Sequence, residues 1–146
     1  MGKYLEAEKR LNGSFGFLEV DGDEIAEVEG VEITISVEYT DVWRGMDKDA
    51  KMTGRSGEGK FKFKKAFSRM KPYIEAVKAG KTPKARIVAW VADPDVGGKE
   101  ERIAISTVKL TSLSALSFDR GTLTDVEVPF RFAPGDLEYL DSIDPE

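Results

Sequence analysis

The chain of 146 residues contains no cysteine and no histidine. Without thiols there is no disulfide, no cysteine nucleophile, no thiolate zinc site and no redox switch. Without imidazole, the commonest general base, metal ligand and physiological pH switch are missing too. Any catalysis would have to rest on carboxylates, lysine or hydroxyls. No apolar run approaches the roughly 20 residues of a membrane span. Met1 to Arg10 is charged throughout and has no apolar stretch of the kind that drives secretion, so a soluble protein made in a cytoplasm is expected. Basic residues are in deficit, 22 against 27 acidic, and the net charge of −5 gives no global attraction to nucleic acid.

What is present is enough for one domain. A chain of this length buries roughly 68–70% of its unfolded surface, and eight Phe, four Tyr and two Trp supply a core. Charge is unevenly spread. Residues 1–41 hold three basic and eleven acidic side chains, net −8; residues 42–71 hold ten basic and three acidic, net +7. The contrast has three readings: complementary surfaces on neighbouring copies, a basic patch for a polyanion, or lysines filling the solvent face of one hairpin.

The periodicity is mostly that of strands. Phe15 to Val20 and Glu24 to Val28 flank Asp21-Gly22-Asp23, a hairpin signal because Asp and Gly tolerate positive φ. Val31, Ile33, Ile35, Val37 and Tyr39 alternate with Glu32, Thr34, Ser36, Glu38 and Thr40, a strand with one apolar and one wet face. Residues 41–59 lose all alternation and read as a long inter-strand loop, a length that points to function or disorder. Phe61 and Phe63 alternate with Lys60, Lys62 and Lys64 as the next strand. Phe67, Met70, Ile74 and Val77 share one helical face, which predicts a helix over 68–79 with Ser68 as N-cap, Pro72 in its first turn and Gly80 at its C-terminal end. Strands follow at 86–92, 102–110 and, more weakly, 113–118. The last is carried by Val126, Val128, Phe130 and Phe132, with Pro129 suggesting an edge position. The acidic tail 133–146 reads as loosely held. The fold class is mainly β: an antiparallel β-sandwich or barrel of about seven strands with one flanking α-helix and a long inter-strand loop, a single domain over 1–146 with an N-terminal arm at 1–13.

Chemical motifs are near misses. Gly54-Arg55-Ser56-Gly57-Glu58-Gly59-Lys60 fits seven positions of a phosphate-binding loop, but Phe61 replaces the hydroxyl residue that would hold magnesium, and a strand follows instead of a helix. Ser68-Arg69-Met70-Lys71 fits Ser-x-x-Lys without its companion elements. The acids at 21–24 and 93–95 lack calcium-loop spacing, and turn chemistry accounts for both. Lys60, Lys62, Lys64, Lys65, Arg69 and Lys71 interleave with phenylalanines as a nucleic-acid surface would, although the phenylalanines occupy the apolar phase of their strand. No catalytic residue, cofactor or metal site is expected.

The order of elements resembles the tail tube proteins of PBSX-like defective prophages and related contractile-tailed phages. The segments that carry the likeness are Gly16 to Ala26, Met52-Thr53-Gly54, Gly57 to Phe63, the helix, and Glu127 to Phe132. The resemblance implies a sandwich or barrel subunit with one helix that forms hexameric rings stacked into the inner tube of a virion tail, assembled in the host cytoplasm. Its partners would be further copies of itself, with tail sheath, baseplate and tape-measure proteins, and DNA passing through without specific binding; no membrane is involved. The family's long loop reaches the neighbouring ring and corresponds here to 41–59. Val42, Trp43, Arg44, Met46, Met52 and Arg55 are therefore expected at subunit interfaces, the alternative being that Trp43 caps its own core. Glu32, Thr34, Ser36, Glu38 and Thr40 are expected to face the lumen. A type VI secretion-like or tailocin tube would look the same in sequence; a stand-alone nucleic-acid-binding module is the more distant alternative.

Overall fold

A computed structural model describes residues 16–65, 68–92 and 100–143. The N-terminal arm, Phe67 and the turn at 93–98 lie outside the described residues. The elements are β1 (Gly16–Val20), β2 (Asp23–Glu24), β3 (Val28–Arg44), β4 (Asp47–Lys64), α1 (Lys71–Lys78), β5 (Lys84–Val91), β6 (Glu101–Leu110), β7 (Asp125–Phe132), a 3-10 turn at Pro134–Asp136 and β8 (Leu137–Asp141).

All pairings are antiparallel, in the order β2-β1-β5-β6-β7-β4-β3. The strand β6 is the pivot. One of its edges pairs with β5, while the other takes β8 at Arg102–Ile105 and β7 only at Lys109 and Leu110. Across that short junction the sheet folds over on itself. Leu18, Ile87, Ile105 and Val108 on one side then meet Phe61, Phe63, Val128 and Phe130 on the other in a single core.

The β4–β7 seam shows how sequence sets the packing. Opposed residues alternate in size: Gly57 faces Phe132, Gly59 faces Phe130, Phe61 faces Val128 and Phe63 faces Val126. The Phe132 and Phe130 rings lie over the two glycines, so a Cβ at position 57 would sit 2.5 Å from the Phe132 ring. These glycines are sockets for core aromatics and not joints of a flexible arm.

The helix is shorter than predicted. Its N-cap is Met70, which offers no capping side chain, and Pro72 occupies the first turn. Ser68 does not cap it; the Ser68 carbonyl accepts from the Lys71 N–H instead. Gly80 (φ +79) ends it as expected, with Gly80 N–H donating to Val77 and Lys81 N–H to Ala76.

The structure revises four other expectations. Residues 41–59 are not a loop. They complete a β3–β4 hairpin whose turn is only Gly45-Met46, with Gly45 at φ +66. The apolar alternation fails there because, among the described residues, β4 short of Gly57 has no second strand and no layer over it. Residues 113–118 are irregular, not a strand. Part of the acidic tail, 137–141, is a strand on β6, anchored by half-buried Leu137. Finally, β7 is an interior strand. Pro129 is tolerated because its carbonyl accepts from Thr111, so its nitrogen faces the edge where β6 supplies only two partners.

Candidate assembly surfaces

The hairpin outruns the body of the domain. Pairing of β4 with β7 stops at Gly57, so residues 47–56 project as a two-stranded ribbon for about 30 Å. Ladder register sorts its side chains. One face carries Val31, Ile33, Ile35, Val37, Tyr39, Asp41 and Trp43, opposite Phe61, Gly59, Gly57, Arg55, Met52, Ala50 and Lys48. This face continues the core, but its side chains are exposed from Ile35 outward. The other carries Glu32, Thr34, Ser36, Glu38, Thr40, Val42 and Arg44. The irregularity at Glu38/Tyr39 leaves Thr53 as the extra residue, and Thr40 Oγ1 bonds Thr53 Oγ1 at 3.2 Å.

The expected lumen residues Glu32, Thr34, Ser36, Glu38 and Thr40 thus share one exposed face, joined from β4 by Lys51, Ser56, Glu58 and Lys60. The expected interface residues do not form one cluster. Val42 and Arg44 are on the hydroxyl-rich face, Trp43, Met52 and Arg55 are on the apolar face, and Met46 is at the turn, 98% exposed. Trp43 is 68% exposed, which excludes the reading in which it caps its own core. The tip is held by Asp41–Lys48 at 3.0 Å and Arg44–Asp49 at 3.3 Å.

Part of the charge contrast along the sequence is met inside the chain. Glu27 accepts from Arg69, Lys64 bridges Glu29 and Asp125, and Lys60 pairs with Glu127. The Arg69 hydrogen bond holds the Glu27 carboxyl below its usual range, with burial opposing it. The Asp125 hydrogen bond raises the Lys64 ammonium, and Lys64 in turn lowers Asp125. Arg69 also lies over the Phe63 ring, 5.7 Å from its centre. These contacts tie the hairpin base to α1 and β7. Lys60 and Lys64 thus sit on the solvent side of the hairpin base, as in the third reading of the charge contrast. Phe61 and Phe63 are buried and offer no platform for bases.

Sequence reasoning missed a second surface. Among the described residues, the large exposed apolar side chains fall in three places: the hairpin, β8 (Tyr139, Leu140), and the end of the molecule formed by α1 and the 111–124 connection (Val77, Leu116, Phe118, Leu123). The signal was visible as apolar residues spaced through 113–123 without strand or helix period.

The comparisons with known proteins give the family. The model of the family described as "Phage tail tube protein" matches residues 3–141. The chain belongs to the phage tail tube protein family. It is 30% identical over 139 residues to the phage-like element PBSX protein XkdM of Bacillus subtilis (strain 168), covering 91% of this chain and 93% of that one. In fold it is similar to the anti-feeding prophage tube terminating cap, with TM-score 0.72 at 11% identity, covering 96% and 97% of the two chains. It is also similar to a chain of the PVC sheath-tube complex of an extracellular contractile injection system, with TM-score 0.71 at 14% identity, covering 93% and 95%. This tail tube family member is accordingly a structural component of a phage tail or phage-tail-like particle, built on the mainly β fold its sequence predicts.

Proposed function

We propose that the chain forms hexameric rings that stack into the inner tube of a contractile tail, with Glu32, Thr34, Ser36, Glu38 and Thr40 on the lumen wall. The carrying observation is the hairpin: β3 ends the sheet order, and among the described residues β4 has no partner but β3 along 47–56. Hairpin strands run antiparallel, so β3 of one subunit can pair with the open 47–56 edge of β4 in the next. A ring closed this way removes the edges that otherwise invite aggregation. On that face Glu32, Glu38 and Glu58 outnumber Lys51 and Lys60, so the wall keeps a small acidic excess and lets DNA pass without binding.

The apolar face, with Trp43, Met52 and Arg55, and the turn at Met46 are left for contacts with other copies. Sheath, baseplate and tape-measure proteins complete the particle, which assembles in the host cytoplasm, and the subunit has no catalytic or cofactor role. The same physical task serves a phage, a defective prophage, a tailocin or a secretion-type tube; neighbouring genes distinguish these.

The test compares the full chain with a variant in which residues 39–53 are replaced by Asn-Gly, a two-residue turn that closes the shortened hairpin at Glu38 and Gly54. In electron microscopy the full chain gives six-fold rings or tubes, and the shortened chain stays folded and monomeric. Long tubes from the shortened chain would overturn the role of the ribbon. A reconstruction with Glu32 and Glu38 on the outer wall would overturn the lumen assignment.

A further inference from the structure

The hairpin tip and the apolar end of the molecule lie at opposite ends of β4. The strand starts at Asp47 beside the turn and ends at Lys64, opposite Asp125 at the start of β7. The 111–124 connection leads directly into Asp125, and α1 follows Lys64 within a few residues. The separation along β4 is about 55 Å. A chain therefore cannot seat its own tip at its own far end.

That far end is grooved. Two adjoining clefts, of about 190 and 470 Å³, share Ile74 and Ala115 in their walls. Met70, Val77, Pro83, Leu110 and Leu113 supply most of the remaining apolar lining. The charged side chains lining them are Lys65, Arg69, Lys71 and Lys78, all cationic, with no carboxylate. The tip has the complementary character. Trp43 and Met46 are exposed, Asp41 and Asp49 are paired with Lys48 and Arg44, and Asp47 is left as the surplus carboxylate of residues 41–49, net −1.

We propose that the hairpin tip of one copy docks into this groove on a second copy, with Met46 and Trp43 against the α1 and 113–115 walls and Asp47 toward the lysines. The contact is heterologous, so repeating it extends a stack instead of closing a dimer. The inference rests on the tube reading and adds the receiving site that the reading lacks.

The chain has no cysteine, which makes the test direct. Met46→Cys and Val77→Cys are made separately; both side chains are exposed, at 98% and 49%, so folding is preserved. Tubes grown from each single variant, and from an equal mixture, are treated with a short bis-maleimide and run on denaturing gels. The expected result is a covalent dimer from the mixture only, and a ladder of multimers from the doubly substituted chain. Tubes that yield no tip-to-groove product, or that yield Met46→Cys dimers by themselves, overturn the docking site while leaving the tube reading intact. Failure of the unmodified protein to form rings or tubes overturns the tube reading and the docking site together.

Discussion

Replacing Gly57 or Gly59 by alanine should destabilise the subunit, against the usual preference. In a strand interior glycine is destabilising relative to alanine by roughly 0.5–1 kcal/mol because it gives up more chain entropy on folding. Propensity alone therefore predicts a more stable protein. The structure reverses the sign. A Cβ at position 57 would lie 2.5, 2.6 and 2.7 Å from three carbons of the Phe132 ring. At position 59 it would lie 2.7 and 3.0 Å from Phe130 and 2.3 Å from the backbone oxygen of Glu32.

Both rings are core side chains whose neighbours leave no room to retreat: Phe130 touches Phe61 and Phe132, with ring centres 6.3 and 6.1 Å apart. Overpacking of this kind costs typically 1–3 kcal/mol. Subtracting the propensity gain leaves G57A less stable by about 1–2 kcal/mol. G59A must in addition shift the backbone of β3 and strain a ladder hydrogen bond, and should lose about 2–3 kcal/mol. At about 4 °C per kcal/mol for a domain of this size, the expected drops in Tm are roughly 4–8 °C and 8–12 °C.

Gly54 is the internal control. Its added Cβ meets only the flexible end of Glu38, at 3.2 Å, so G54A should hold or raise Tm. The assay is thermal unfolding by circular dichroism at dilutions where the protein is monomeric, since assembly would add its own stability. If all three alanine variants melt at or above the parent, the socket argument fails.

Two further outcomes follow from the hairpin. Glu27→Gln removes the charge that Arg69 binds and should cost about 1 kcal/mol at neutral pH. Because the folded carboxyl sits below its usual 4.5, that advantage of the parent is complete above this value and fades as pH falls through the folded pKa. A gap in Tm between parent and variant that does not change from pH 7 to pH 3 would refute it. Trp43→Ala should leave dilute monomers within about 0.5 kcal/mol of the parent, because the side chain is mostly in solvent, while abolishing tubes in the microscope. A large loss of monomer stability would instead mean that Trp43 packs on its own domain.

Period-two alternation located β1, the end of β4, β6 and β7, because each of these segments has one face on the core and one in water, and it located β3 to Tyr39, where the apolar row runs on past Ile33, the last β3 side chain packed on the core. The same rule explains the misses. Residues 41–56 have water on both faces within one chain, so burial leaves no period in Asp41 to Ser56 and a strand reads as a loop. Leu137 is the one side chain of β8 packed on the core, too little pattern to separate a five-residue strand from a tail. Leu113, Leu116 and Phe118 supplied apolar residues without a strand, because Leu113 reaches the core while Leu116 and Phe118 stay outside it. Of the candidate surface, the wet face of β3 was legible in full, whereas the sorting of Val42 and Trp43 onto opposite faces required the register.

The feature that remained opaque in sequence is also the one that a single subunit cannot satisfy. A two-stranded ribbon with no third strand and no covering layer is marginal by itself in water. This one adds an exposed apolar row of Ile35, Val37, Tyr39, Trp43 and Met52 and, among the described residues, two unpaired edges. Soluble monomers avoid that combination because it nucleates uncontrolled pairing. The glycine sockets and the Arg69–Glu27 and Lys64–Asp125 pairs fix the hairpin base rigidly to the core, so the ribbon projects in one direction and not as a free arm. A rigid projection with open edges and one apolar face limits the ways in which copies can meet, and in the ring and stack proposed above that limit turns an aggregation hazard into a defined tube.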